Sequence, residues 1–250
     1  MGNEVNLFND IFSSSENREK HINELEISNE IYNKSINIYN INEDELFLIK
    51  GFRQHYMITL ANLAGKNIII LGDSKIGKTK IFELIFEKEH LKENIDESTS
   101  NNSEQNYAYF EEKNFIIEGL EININIWDTP GEVKHQEANK HFIKDSIISY
   151  LCFHFKSPKS FEMIKNYYMK MVKEINGNNS FMVLVGIKDE MFDDDNNDNI
   201  PIKNIKTFAE DNNILFYSVS LNESNSIRYL FNDSIKKYVL MQSKLSFKKI

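Results

Sequence analysis

The strongest constraint in this sequence is a glycine-rich segment, residues 72–79, that directly follows a short apolar run, residues 67–71. The run is nearly continuous in Ile and Leu, as expected for a parallel strand that is covered on both faces. The segment fits the pattern G-x-x-x-x-G-K-[ST], and helical spacing begins directly after it. A strand, a glycine loop and a helix in this order predict a loop whose backbone N–H groups bind the oxygens of a polyphosphate.

Two side chains of this loop are expected to carry most of the chemistry. Lys78 should bridge the β- and γ-phosphates of a nucleotide, and the hydroxyl of Thr79 should ligate Mg²⁺. The residues expected to contact the nucleotide are Gly72, Asp73, Ser74, Lys75, Ile76, Gly77, Lys78, Thr79 and Lys80. A turn rich in Gly and Lys would also match the pattern by chance, but the strand and helix around the loop disfavour that alternative.

A second motif, Asp-Thr-Pro-Gly, begins at Asp128, 50 positions after Lys78, and ends at Gly131. It follows an apolar run over residues 122–127. A carboxylate at a strand end can hold Mg²⁺ through water, and the N–H of a glycine there can meet the γ-phosphate and report its presence. Alone the motif is only a good turn sequence, but its distance from a phosphate loop favours a nucleotide-sensing switch.

Apolar runs and helical patterns alternate along most of the chain. Strand-like runs lie at 67–71, 115–117, 122–127, 147–155, 181–186 and 214–219, and helical patterns at 80–91, 137–145, 161–175, 202–211 and 226–243. This alternation predicts an α/β fold: a doubly wound, mostly parallel six-stranded sheet with helices on both faces.

The residues before this fold differ in character. Residues 1–40 are polar and show weak apolar periodicity. Helical spacing then appears in Leu46, Ile49, Phe52, Tyr56 and Leu60. We expect a partly helical N-terminal extension over residues 1–65, with a flexible start, and a nucleotide-binding domain over residues 66–250. The helix is expected to pack onto the domain, in preference to binding a partner.

Charge and cysteine content exclude several classes of function. The net charge is −9 and Lys and Arg form no stripe, so we expect no nucleic-acid partner. The single cysteine, Cys152, lies in an apolar run, which excludes disulfides and cysteine-based zinc sites. The chain lacks a secretory segment and an apolar run of membrane-spanning length. We expect a cytoplasmic protein. Peripheral association with an internal membrane stays open, but not through prenylation, because the C-terminal residues contain no cysteine.

The two motifs together, residues 72–79 and 127–131, resemble those of the Ras superfamily of small GTPases, and of its Rab branch in particular. The resemblance extends over about residues 66–243. It implies a molecular switch that binds GTP or GDP with Mg²⁺, has Thr79 and Asp128 as metal ligands, and acts in vesicle trafficking.

The same resemblance implies partners and base contacts. Effector and regulatory proteins would bind through switch regions at about 93–105 and 131–144. The residues that would contact the guanine base and γ-phosphate are Gly131, Lys188, Glu190, Ser220 and Leu221. The base motif departs from Asn-Lys-x-Asp, because Ile187 lacks the amide and Glu190 replaces the aspartate. Asp189 could replace Glu190 after a backbone shift.

Glu132 stands where the family usually has the glutamine that orients the attacking water. An ionised carboxylate beside a γ-phosphate adds repulsion, so we expect slow or partner-dependent GTP hydrolysis. The switch threonine of the first region aligns with Gln105, and four hydroxyl residues could replace it: Ser98, Thr99, Ser100 and Ser103.

Two other functions compete with an active GTPase. A pseudo-GTPase scaffold with little or no hydrolysis is favoured by Glu132, Gln105 and Ile187. An ATP-using P-loop enzyme would need clustered arginines at a second substrate site. The chain has only three arginines, none beside a phosphate motif: Arg18, Arg53 and Arg228.

Overall fold

A computed structural model of the chain describes residues 43–87, 108–132, 136–177, 180–188 and 200–247. Its centre is a six-stranded sheet in the order β2-β3-β1-β4-β5-β6. The strands are β1 Lys66–Leu71, β2 Tyr109–Ile117, β3 Leu120–Asp128, β4 Ser146–His154, β5 Phe181–Lys188 and β6 Leu215–Ser220. All neighbouring strands are parallel except β2 and β3, which pair antiparallel. The predicted α/β fold is therefore confirmed.

Two apolar clusters cover the two faces of this sheet. Ile68 and Ile70 of β1 point into one cluster, and Ile69 and Leu71 point into the other. Because successive side chains of a strand point to opposite faces, a strand buried on both sides needs apolar residues at every position. This explains why β1 could be predicted from its unbroken run of Ile and Leu.

The helices pack on these two faces. They are α1 Glu43–Ala61, α2 Lys78–Ile85, α3 Gln136–Lys144, α4 Pro158–Met163, α5 Met169–Asn176, α6 Ile202–Asp211 and α7 Ser224–Phe247. A π-helical turn, Ile164–Tyr168, joins α4 to α5. Helices α1, α2 and α7 cover one face, and α3 to α6 cover the other. Within the described ranges, the helices are too short or too polar to cross a bilayer.

Several element bounds differ from the predicted ones. Strand β2 starts at Tyr109, six residues before the predicted run. The apolar pattern missed its first residues because β2 is an edge strand and those residues are polar or exposed. Helix α2 ends at Ile85, although the pattern predicted a helix as far as residue 91; residues 88–91 lie outside the described ranges. Glu87 has φ of 54°, a left-handed conformation in which a helix cannot continue.

The predicted helix of the N-terminal extension is α1, and it packs against α7 and β3. Leu60 and Leu63 are buried in the same cluster as β1, and Tyr56 packs on its edge. Gly65 follows with φ of 70°, as expected where a helix ends and a strand begins. The expected weak helix and flexible start before residue 43 lie outside the described residues.

Candidate functional site

The glycine loop connects the carboxyl end of β1 to the first turn of α2. Gly72 has φ of 146° and Gly77, the N-cap of α2, has φ of 103°, both in the region that favours glycine. A Cβ atom on Gly72 would also lie 2.3 Å from the carbonyl oxygen of Cys152 in β4. The loop can therefore follow this path only with glycine at both positions.

The remaining loop residues differ in where their side chains lie. Ile76 is buried in the core, whereas Ser74 and Lys75 are exposed. Lys80, in the first turn of α2, forms an ion pair with Glu83, with Nζ and Oε2 3.3 Å apart. A ligand of this loop would therefore meet the main chain of Ile76, not its side chain.

Lys78 supplies a buried positive charge at the start of α2. Its side chain is 5 % exposed, and its Nζ donates a hydrogen bond to the main-chain oxygen of Asp73 at 2.6 Å. Burial lowers the pKa of Lys78, and the nearby carboxylate of Asp128 opposes this shift. An ammonium group with so little water around it gains from an anionic partner, so this corner suits phosphate.

Thr79 and Asp128 bring two oxygen atoms together beside this lysine. The Thr79 hydroxyl donates a hydrogen bond to Oδ2 of Asp128 at 2.7 Å. Asp128 is 1 % exposed, whereas Thr79 is exposed. The parallel pairing of β1 and β3 sets Ile70 opposite Asp128, and Thr129 donates to the main-chain oxygen of Ile70 at 2.7 Å. Hydroxyl and carboxylate oxygens are ligands that Mg²⁺ prefers, so the pair fits a magnesium site.

The segment after β3 lies directly on the phosphate loop. A Cβ atom on Gly131 would be 2.3 Å from the carbonyl carbon of Asp73 and from the nitrogen of Ser74. Only glycine allows the two main chains to come so close. Glu132 follows and is partly buried, and residues 133–135 lie outside the described ranges.

The ends of β5 and β6 touch the other side of the loop. Their pairing sets Lys188 opposite Ser220, and the N–H of Leu221 donates to the main-chain oxygen of Lys188 at 3.4 Å. A Cβ atom on Gly77 would lie 2.9 Å from Cδ1 of Leu221 and 3.6 Å from Cγ2 of Ile187. The residues expected to contact a base therefore pack against the loop expected to contact phosphates.

One end of the sheet thus collects most of the predicted site residues. Lys78, Thr79 and Asp128 form its polar centre, and the strand ends at Lys188 and Ser220 form its second wall. Glu190, Asp189, Gln105 and its four hydroxyl alternatives lie outside the described residues.

The sequence of the chain matches one protein family over most of its length. The sequence model of the Ras family matches residues 67–240. The chain belongs to the Ras family. It is a small GTPase, and membership implies guanine-nucleotide binding.

The similarity to individual relatives is distant and points to Rab proteins. A probable Rab-related GTPase of Acanthamoeba polyphaga mimivirus is 28% identical over 175 residues, which cover 69% of this chain and 76% of the viral protein. Ras-related protein Rab-21 of Homo sapiens is 24% identical over 172 residues, covering 69% of this chain and 71% of Rab-21. Ras-related protein RabQ of Dictyostelium discoideum is 24% identical over 172 residues, covering 69% and 78%.

An aromatic row on this small GTPase escaped the sequence analysis. Phe110 of β2 stacks on Trp127 of β3 with ring centroids 4.6 Å apart, and Trp127 contacts Phe142 of α3 at 4.7 Å. Phe110 is 46 % exposed, so the row reaches the surface. The only sequence signal was an outward-facing aromatic residue in β2, and that part of the strand was not predicted.

A tyrosine beside the phosphate loop was also missed. The hydroxyl of Tyr168, in the π-helical turn, donates a long hydrogen bond to Oδ1 of Asp73 at 3.4 Å. Burial raises the pKa of the Asp73 carboxyl, and the Tyr168 hydroxyl and the charge of Lys78 oppose this shift. The contact joins residues 95 positions apart, and no local pattern predicts it.

Proposed function

We propose that this small GTPase is a guanine-nucleotide-dependent switch that binds GTP or GDP with Mg²⁺. The observation that carries the proposal is the Thr79–Asp128 pair beside the buried ammonium group of Lys78. One cation for the phosphates and two oxygen ligands for a metal are what binding of a magnesium–nucleotide complex requires. Mg²⁺ held there would neutralise negative charge on the phosphates. Glycines at 72, 77 and 131 keep side chains out of the space around the phosphate loop.

Guanine recognition is proposed for the wall formed by Lys188, Glu190, Ser220 and Leu221. The stem of Lys188 would lie along the purine, Glu190 would accept hydrogen bonds from it, and backbone N–H groups near Leu221 would meet its oxygen. Ile187 is fully buried against the loop, so this position contributes packing and no amide. We therefore expect weaker selection of guanine over adenine than an intact base motif would give.

GTP hydrolysis is proposed to be slow, or to depend on a partner that supplies an arginine. Glu132 follows Gly131 at the phosphate loop, where an ionised carboxylate repels a γ-phosphate and cannot donate a hydrogen bond. The same residue favours the second candidate function, a scaffold that holds nucleotide without turning it over.

A role in vesicle trafficking is proposed from the similarity to Ras-related protein Rab-21 and other Rab proteins. Effectors and regulators would bind the switch regions and the aromatic row of Phe110, Trp127 and Phe142. Exposed aromatic side chains supply large contact areas in protein interfaces.

We further propose that residues 66–250 form the GTPase domain and residues 1–65 an extension of it. The burial of Leu60 and Leu63 in the domain core supports a docked role for the second half of that extension.

Titration of the purified full-length chain with fluorescent GDP, GTP and ATP in Mg²⁺ tests the proposal. Lys78→Ala should weaken guanine-nucleotide binding about 10- to 100-fold, because a hydrogen-bonded charge is lost. Lys66→Ala is the matched control, since Lys66 is exposed at the opposite end of β1. Equal affinity of both variants would contradict the phosphate site. Single-turnover measurements then separate a slow GTPase from a scaffold that retains GTP.

A further inference from the structure

A side chain of α3 holds the peptide group between Pro130 and Gly131 in place. Nδ2 of Asn139, in α3, donates a hydrogen bond to the main-chain oxygen of Pro130 at 3.0 Å. This oxygen and the N–H of Gly131 belong to one planar trans peptide group, in which they point in opposite directions. A bond that fixes the oxygen therefore also fixes the direction of the N–H.

Side-chain packing alone gives little reason for an amide at position 139. Asn139 is 1 % exposed, and its Oδ1 is buried with no hydrogen-bond partner among the described residues. A buried unsatisfied oxygen costs about 1–3 kcal/mol, a cost that, within the described part of the chain, only the hydrogen bond from Nδ2 to Pro130 offsets. What the amide adds is its bond to Pro130.

The same helix carries one member of the aromatic row. Asn139 and Phe142 are three positions apart in α3, a spacing that places them on neighbouring positions of one helix face. Phe142 contacts Trp127, and Trp127 contacts Phe110. A chain of contacts thus runs from the Pro130 oxygen through α3 to the exposed aromatic row.

We propose that Asn139 is a positioning residue that orients the Gly131 N–H toward a γ-phosphate and couples that contact to α3. This role rests on the proposed nucleotide switch. With a triphosphate bound, the peptide group is held on both sides, by the phosphate at its N–H and by Asn139 at its oxygen. With a diphosphate bound, only Asn139 holds it. Asn139 therefore strengthens triphosphate binding selectively, because hydrogen bonds at the two ends of one peptide group reinforce each other.

The experiment measures the affinities of full-length protein for GDP and for a non-hydrolysable GTP analogue. Asn139→Leu should lower the ratio of triphosphate to diphosphate affinity about 3- to 10-fold, the effect of one hydrogen bond, whereas a loss of packing alone would lower the melting temperature of the GDP form and leave the ratio unchanged. Asn176→Leu is the matched control. Nδ2 of Asn176 donates to the main-chain oxygen of Ile143 at 2.7 Å, so this variant loosens the far end of α3 without touching Pro130.

Trp127 provides a second readout, because it is the only tryptophan in the chain and contacts Phe142. Replacing GDP by the GTP analogue should change the Trp127 fluorescence in the wild type and in Asn176→Leu, and change it less in Asn139→Leu. If Asn139→Leu fails to fold, Asn139→Asp takes its place, since a carboxylate cannot donate to the Pro130 oxygen.

The outcomes are separable. An unchanged affinity ratio in Asn139→Leu overturns the coupling role and leaves the switch proposal standing. So does a wild type whose Trp127 fluorescence stays the same when GDP is replaced by the GTP analogue. A lower melting temperature with an unchanged ratio shows that Asn139 serves packing only. A wild type that binds neither nucleotide overturns the proposed function itself, and with it this role.

Discussion

Gly131→Ala adds one methyl group where the switch segment lies on the phosphate loop. The new Cβ atom would be 2.3 Å from main-chain atoms of Asp73 and Ser74. Ordinary contacts begin at about 3.5 Å, so the two segments must move apart by about 1 Å. Main-chain atoms cannot rotate out of the way, and the N–H of residue 131 is expected to leave hydrogen-bonding range of a γ-phosphate.

The expected loss follows from that displacement. A hydrogen bond to a charged group contributes about 1.5–3 kcal/mol, so affinity for a non-hydrolysable GTP analogue should fall roughly 10- to 150-fold. GDP lacks the γ-phosphate and should lose much less. Competition against fluorescent GDP measures both affinities. Gly177→Ala is the control, because Gly177, which ends α5, has φ of 75°: an alanine there strains the backbone away from the site, and its added Cβ meets nothing within 4 Å. An equal loss for GDP and the GTP analogue would refute this reasoning.

Three further predictions concern stability and turnover. Leu60→Ala should lower the free energy of unfolding in urea by about 2–5 kcal/mol, because Leu60 of α1 is fully buried in the domain core, whereas Leu245→Ala, at an exposed site, should change it little. An equal effect of both would show that α1 is not docked. Glu132→Gln should speed single-turnover GTP hydrolysis, since an amide can donate to the attacking water or the phosphate; an unchanged rate would favour the scaffold. Burial raises the pKa of the Cys152 thiol from 9.0 to about 12, so the folded chain keeps a proton that the unfolded chain releases. Above pH 9 the wild type should therefore lose stability faster than Cys152→Ala, by up to about 1.4 kcal/mol per pH unit, and parallel pH curves would contradict this.

The parts of the fold that could be predicted are those where one local rule dominates. β1 and β5 are buried on both faces, so they consist of unbroken apolar runs, such as residues 67–71. Runs of this kind are typical of buried parallel strands. The glycine loop could be located because Gly72 and Gly77 adopt backbone conformations that other residues disfavour. Motif spacing then placed Asp128 at the neighbouring strand end.

The missed features depend on contacts between distant parts of the chain. β2 begins with Tyr109 and Phe110, exposed residues whose strand conformation depends on antiparallel pairing with β3. The π-helical turn ending at Tyr168 has the same apolar residues as an ordinary helix. The bond from Asn139 to Pro130 exists only because α3 folds back over the switch segment.

The most direct test of a nucleotide site at Lys78, Thr79 and Asp128 is to identify the nucleotide that copurifies with the native protein. The purified protein is denatured and removed, and mass spectrometry of the released small molecules gives the base and the number of phosphates. Metal analysis of the same sample gives the amount of Mg²⁺. We predict that wild-type protein carries about one guanine nucleotide and one Mg²⁺ for each chain. Lys78→Ala should carry much less of both. An adenine nucleotide in place of the guanine nucleotide, or a guanine nucleotide retained in full by Lys78→Ala, would contradict this prediction.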